Sequence, residues 1–193
     1  MFINILYVLA IISQSINGTL SAKKRRMDHF GVVLIAFVSA FGGGTLRDVL
    51  LNNYPISWVK EPFTICIVIV ACFATIVLFH LTIKFKNLFL LLDAFGLVSL
   101  TIIGCDAAAK EQSSLLLICL FGVITGVFGG IMRDIFSNQT PLIFQKELYA
   151  SISVATAAMY VSFTYWSIPS RITIFTALAL GFLLRLGVVR KIK

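Results

Sequence analysis

Gly43-Gly44-Thr45-Leu46-Arg47-Asp48 returns 86 residues later as Gly129-Gly130-Ile131-Met132-Arg133-Asp134. The same offset pairs Asn52 with Asn138, Pro55 with Pro141 and Lys60-Glu61 with Lys146-Glu147. Upstream it pairs Gly18 with Gly104, Ala22 with Ala108 and Lys24 with Lys110, without a gap. The chain is therefore one unit written twice. Glycines and an Arg-Asp pair inside apolar stretches are costly. Repeating them in register points to a site shared by two halves.

Working outward from the repeat, composition sets the class. Of 193 residues, 59% are hydrophobic and 12% charged, and the mean hydropathy is +1.00. Soluble domains carry about 25% charged residues, so the chain reads as an integral membrane protein forming a single transmembrane domain over 1–193. Cys66, Cys72, Cys105 and Cys119 lie in or beside apolar runs without CxxC spacing and read as small buried hydrophobes. The net charge of +8 does not point to nucleic acid. The basic residues sit at the ends of apolar runs (Lys23 to Arg26, Lys84 with Lys86, Arg190-Lys191 with Lys193) and have no interleaved aromatic stacking platforms. The run from Met1 to Leu20 does not read as a signal peptide, because its basic cluster follows the apolar segment.

A membrane span needs about 20 mostly apolar residues. Seven candidates emerge: Phe2–Leu20, Phe30–Leu51, Pro62–Ile83, Leu88–Cys105, Ser114–Phe136, Leu148–Ile168 and Arg171–Val189. Breakers and polar residues fill the connections, including Asp106 to Ser113. Strands with period-2 alternation are absent, so an all-α protein is expected instead of a β-barrel. An N-terminus outside and a C-terminus inside a cell (inner) membrane puts most basic clusters on the cytoplasmic side. Three spans per repeat reverse direction in the membrane. Repeat one (about 1–86) and repeat two (about 87–170) are thus expected to be inverted, with a seventh helix at about 171–189 added.

Within this frame, span two is expected to break at Gly42-Gly43-Gly44 and span five at Gly129-Gly130, since each glycine costs a helix about 1 kcal/mol relative to alanine. Two readings stand. The glycines let helix backbones approach closely, or their freed carbonyls line a water-filled path, with a monovalent cation at Gly43 and Gly129. Adjacent Arg and Asp do not face one another on a helix. Arg47, Asp48, Arg133 and Asp134 are therefore expected to find partners on other segments or in water. They serve either as structural ion pairs or as a device in which Asp48 and Asp134 attract cations and the arginines anchor or plug. Ser39, Thr45 and Thr125 flank the expected breaks. Ser13, Gln14, Ser15, Asn17, Ser99, Thr101 and Asp106 are weaker polar signals. Lys60-Glu61 and Lys146-Glu147 read as interfacial anchors. His29 and His80 lack metal-ligand spacing, and no nucleophile elbow, P-loop or dinucleotide fingerprint occurs. No enzyme activity and no cofactor are expected.

The duplicated Gly-Gly-x-x-Arg-Asp motif, the triple glycine of span two and the three-plus-three-plus-one spans resemble the prokaryotic trimeric intracellular cation (TRIC) channels, from Met1 to about Val189. The same bacterial sequences are also described as possible glycine transporters. The resemblance implies a homotrimer with one pore per protomer, conducting potassium or other monovalent cations such as sodium, with spans two and five kinked at Gly42–Gly44 and Gly129–Gly130. Phe128 departs from it by standing where the first motif has Gly42. A carrier of a small zwitterion such as glycine remains the alternative, with Arg47 and Asp48 able to serve either scheme.

Overall fold

The computed structural model describes residues 2–79, 86–111, 113–145 and 148–191. Expectations for His80, Lys84, Lys86, Lys146, Glu147, the 80–83 end of span three and the Arg190–Lys193 cluster fall on residues or side chains outside that description. Every regular element among the described residues is helical. The long helices are α1 (Phe2–Lys24), α2 (His29–Leu50), α3 (Phe63–Val77), α4 (Lys86–Lys110), α5 (Leu115–Phe136), α6 (Tyr149–Tyr165) and α7 (Ser170–Lys191). A one-turn helix, Ser57–Lys60, follows α2, and a 3-10 turn, Leu142–Phe144, follows α5. Five helices, α1, α2, α4, α5 and α7, are long and apolar enough to cross a membrane, and α3 is apolar but shorter.

The sequence starts and stops α2 and α5 in the same way. The Asp28 carboxylate accepts from Gly31 N at 2.8 Å at the start of α2. Ser114, its counterpart 86 residues on, caps α5 through Leu117 N at 3.5 Å. Such caps satisfy backbone donors that the first turn leaves open. At the other end, Leu51 N donates to Arg47 O and Ser137 N to Arg133 O, each at 2.9 Å. Asn52 and Asn138 then turn the chain through left-handed φ values of 53° and 52°. Asn tolerates that region better than most residues. The repeat is thus visible at the level of single caps.

Packing follows the same duplication. α1 packs on α2 and α3, and α4 packs correspondingly on α5 and α6. α2 meets α5 and α1 meets α4 between the halves, while α7 lies against α4 and α6. Gly18 sits against the Ile35 carbonyl, where an added Cβ would lie 2.8 Å from its oxygen. Gly104 sits against Phe121 O, the counterpart of Ile35 O, at 2.7 Å.

Two expectations need correction. α2 runs uninterrupted through Gly42, Gly43 and Gly44, and α5 through Gly129 and Gly130, and no glycine among the described residues has a positive φ. The glycines serve close approach, because packing against a neighbouring helix offsets their low helix propensity. The connection expected from Asp106 to Ser113 is also shorter than expected. α4 continues to Lys110, carried by Ala107 to Ala109 and an Asp106–Lys110 ion pair of 2.6 Å one turn apart.

Candidate functional site

The expected site residues separate into a crossing, two charged ends and a side cleft. At the crossing of α2 and α5, a Cβ on Gly43 would collide with the carbonyl oxygen of Thr125, and one on Gly129 would lie 2.6 Å from that of Ser39. Ser39 and Thr125 are counterparts under the 86-residue offset, as are Gly43 and Gly129. Each half therefore presents its glycine to the other half's hydroxyl-bearing residue, and the exchange of roles is reciprocal. As the index rises from Ser39 to Gly43 on α2, it falls from Gly129 to Thr125 on α5, so the two helices cross antiparallel. The Thr125 hydroxyl donates to Phe121 O at 2.6 Å, and the Ser39 hydroxyl donates to Gln14 Oε1 at 3.2 Å. Gln14, fully buried, is seated against Gly96, where any Cβ would displace its amide.

At the C-terminal end of α2, Arg47 and Asp48 bond to each other. Arg47 Nε and Nη2 both donate to Asp48 Oδ1, at 2.9 and 2.7 Å. Asp48 Oδ2 accepts from Ser57 N at 2.8 Å, and Arg47 Nη2 reaches Ser57 Oγ at 3.0 Å. The second copy repeats the device. Arg133 Nε donates to Asp134 Oδ1 at 2.8 Å, and Asp134 Oδ2 accepts from Leu142 N at 3.1 Å. Each aspartate thereby ties its helix end to the short helical turn that follows. The expectation was a partner on another segment or in water; Asp93 is such a partner for Arg133, but neighbouring Arg and Asp also bond to each other. Their Cβ atoms do diverge, but the long arginine stem folds back until the guanidinium meets the carboxylate.

The ends differ in their surroundings. Arg47 lines a cavity of about 250 Å³ with Tyr7, Ser57, Lys60, Glu61, Asp106 and Lys110 among its walls. Arg133 is wholly enclosed. Its Nη1 donates to Asp93 Oδ1 at 2.8 Å, and its guanidinium lies 5.0 Å from the Phe89 ring centre. Asp93 also faces Arg185 of α7, with Oδ2 to Nη2 at 3.8 Å, and Arg185 stacks 4.8 Å from the ring centre of Tyr149. Asp93, Arg133 and Arg185 all show 0% exposure, which makes a four-charge buried cluster with Asp134. Asn17, its amide oriented by its neighbours, accepts from Asp93 N at 2.7 Å and donates to Phe89 O at 3.2 Å.

Several expected residues lie elsewhere or do plainer jobs. Thr45 donates to Phe41 O at 2.9 Å and accepts from Trp58 Nε1 at 3.0 Å. With Gly42 it borders an almost wholly apolar cleft of about 370 Å³ that Phe128 and Met132 also line. Gly44 has only Arg47 Nη2 near it, at 3.8 Å, whereas Gly130 accommodates the Tyr149 hydroxyl. Ser13 and Ser15 donate to the carbonyls of Leu92 and Val68, and Thr101 bonds Ser153. Asp93, Arg185 and Tyr149 are additions to the expected set. Asp93 and Arg185 are lone ionisable residues in long apolar runs, a signal that flags function on its own.

Gln14 Nε2, Asp93 Oδ2, Ser99 Oγ, Arg133 Nη2 and Tyr149 Oη are buried and make no hydrogen bond with the described residues. Buried polar atoms of this kind call for water or an ion. Among the described residues no group of three or more His, Cys, Asp or Glu is arranged to hold a metal.

The residue pattern matches the family described as Glycine transporter over 4–80 and 90–165. The UPF0126 inner membrane protein YadS of Escherichia coli K12 is 35% identical over 178 residues, covering 91% of this chain and 86% of that protein. A TRIC trimeric intracellular cation channel orthologue from Rhodobacter sphaeroides superposes with a TM-score of 0.94 at 29% identity, covering 98% of each chain. A prokaryotic TRIC channel solved in 0.5 M KCl superposes with a TM-score of 0.92 at 26% identity, covering 99% of this chain and 97% of its own.

Proposed function

Because this chain belongs to the Glycine transporter family, on the fold of the prokaryotic TRIC channels, we propose that it is a channel for monovalent cations, potassium foremost, with a path in each protomer of a homotrimer. The observation that carries this reading is the set of buried polar atoms on α1, α4, α5 and α6 (Gln14 Nε2, Ser99 Oγ, Arg133 Nη2 and Tyr149 Oη) that make no hydrogen bond with the described residues. They are groups that water or a passing cation would satisfy. The similarity to TRIC channels at TM-scores of 0.94 and 0.92 supports it.

In this reading the chain crosses a cell (inner) membrane seven times as two inverted three-helix repeats (about 1–86 and 87–170) plus α7, with its N-terminus outside. The antiparallel, reciprocal contact of α2 and α5 supports the inversion. Asp48 serves the outer half of the path and Asp134 the inner half, and Ser39 and Thr125 flank its waist. Arg47 and Arg133 are anchors, since both are bonded to their own aspartates. Cation ligands are side-chain and water oxygens rather than carbonyls freed at Gly43 and Gly129, because those helices are continuous.

A second reading, a carrier of a small zwitterion such as glycine, draws on the cavity of about 250 Å³ at Arg47. Its walls carry both signs of charge, Arg47, Lys60 and Lys110 together with Glu61, Asp106 and Glu111. Purified protein in planar bilayers under a potassium gradient separates the two. Unitary currents that reverse near the potassium equilibrium potential support the channel. Silent bilayers with saturable glycine uptake into proteoliposomes overturn it in favour of the carrier.

A further inference from the structure

Ser39 and Thr125 occupy matching places at the crossing of α2 and α5, yet their hydroxyls are held differently. Thr125 donates back into its own helix, to Phe121 O at 2.6 Å. That is the common bond of a helical hydroxyl, to the carbonyl four residues earlier. Ser39 instead donates across to Gln14 Oε1 of α1 at 3.2 Å. The cause is one unduplicated residue, because Gln14 has Leu100 as its counterpart 86 residues on, and leucine accepts no hydrogen bond. Gln14 and Gly18 lie one turn apart on α1 and both meet Ser39, since a Cβ on Gly18 would stand 3.0 Å from that of Ser39. On its other side the Gln14 amide nitrogen fills the space left by the missing side chain of Gly96 on α4. Gln14 shows 0% exposure, and its Nε2 makes no hydrogen bond with the described residues. The amide is therefore held by a hydrogen bond at one end and by shape at the other, with its oxygen toward Ser39 and its N–H groups toward α4.

We infer that Gln14 is a positioning residue for permeation: it takes up the Ser39 proton, so that the Ser39 oxygen meets a passing cation only as an acceptor. This rests on the channel reading. A hydroxyl has one proton and two lone pairs. With the proton tied to α1, the lone pairs are left for the other side of Ser39, where the path narrows between α2 and α5. Without Gln14 the hydroxyl falls back on Ile35 O, as Thr125 does on Phe121 O, and its lone pairs turn to a new direction. Discrimination between cations depends on the number and field strength of the oxygens that face them. A residue that acts through Ser39 thus alters which ion passes.

The test is the potassium-over-sodium permeability ratio, read from the reversal potential of purified protein in planar bilayers with KCl on one side and NaCl on the other. Q14M keeps the side chain's length and volume and removes the acceptor. It is expected to change the ratio about two-fold, and S39A to change it by a similar factor. Q14M/S39A is expected to match S39A, because Gln14 acts through Ser39. A mere packing role for Gln14 would lower the unfolding temperature and leave the ratio alone. A wild-type ratio in either single variant, or a further shift when Q14M is added to S39A, overturns the inference while leaving the channel intact. If Q14M does not yield folded protein, Gly96→Ala decides in its place. Its methyl displaces the amide from its seat, and it is expected to change the ratio in the wild-type background and not in S39A; the reverse pattern overturns the inference. A wild-type protein that is silent in the same bilayers removes the channel reading and the inference with it.

Discussion

The two copies of the Gly-Gly-x-x-Arg-Asp motif share their internal bonds and differ in what encloses them. At the first, Arg47 and Asp48 close on each other and on Ser57 beside an open cavity. At the second, the same internal pair is locked between Asp93 and the Phe89 ring, with Arg185 and Tyr149 behind. The difference comes from outside the motif: Asp93 for Tyr7 on the preceding helix, and a seventh helix that has no counterpart. Duplicated sequence thus fixes the local bond, while unduplicated residues decide whether that bond borders a cavity.

Substitutions turn this comparison into measurable contrasts. The largest effect is expected from Arg133→Ala, which strands Asp93 and Asp134 in an enclosed site with Arg185 alone. Thermal unfolding in detergent should register a loss of about 3–5 kcal/mol. Arg47→Ala, at the cavity, admits water to Asp48 and is expected to cost about 1–2 kcal/mol. Equal losses at the two ends would erase the distinction drawn here. Gly43→Ala forces a methyl into the Thr125 carbonyl and is expected to cost about 1–3 kcal/mol, with Gly129→Ala at the milder end. Gly44→Ala, with no atom nearer than 3.8 Å, should shift the unfolding midpoint by less than about 0.5 kcal/mol. Asp48→Asn and Asp134→Asn are expected to lower potassium conductance by a few-fold at ~0.1 M salt with smaller changes in stability. Unchanged conductance in both would sink the assigned roles of these carboxylates.

Much of this architecture was legible in the sequence because the register is gapless. It foretold matching breaks at Asn52 and Asn138 and a site shared by the two motif helices, and it paired Gly18 with Gly104 without saying what they do. What it hid has a common cause. A repeat draws attention to what both halves share, and Asp93 and Arg185 belong to one half or to neither. Their isolation among apolar residues was the available signal. Glycine propensity misled in the other direction, since a per-residue cost of about 1 kcal/mol is smaller than the gain from bringing two buried helices into backbone contact. The Arg-Asp pairing was missed because helix spacing describes Cβ positions, and arginine reaches well past its own.

The reciprocal seats of Gly43 on Thr125 and Gly129 on Ser39 also set a length. Arg47 lies one turn beyond its glycine and Arg133 one turn beyond its own, in opposite directions along antiparallel helices. At about 1.5 Å per residue the two guanidinium-bearing positions are separated by no more than about 18 Å along the axis, against about 30 Å of hydrocarbon. On the channel reading, the cavity at Arg47 brings water to one end of that stretch, and a path opened at the Arg133 end would confine most of the transmembrane voltage to it. The electric field felt by a cation near Ser39 and Thr125 would then be steeper, by roughly the ratio of those lengths, than in the surrounding lipid.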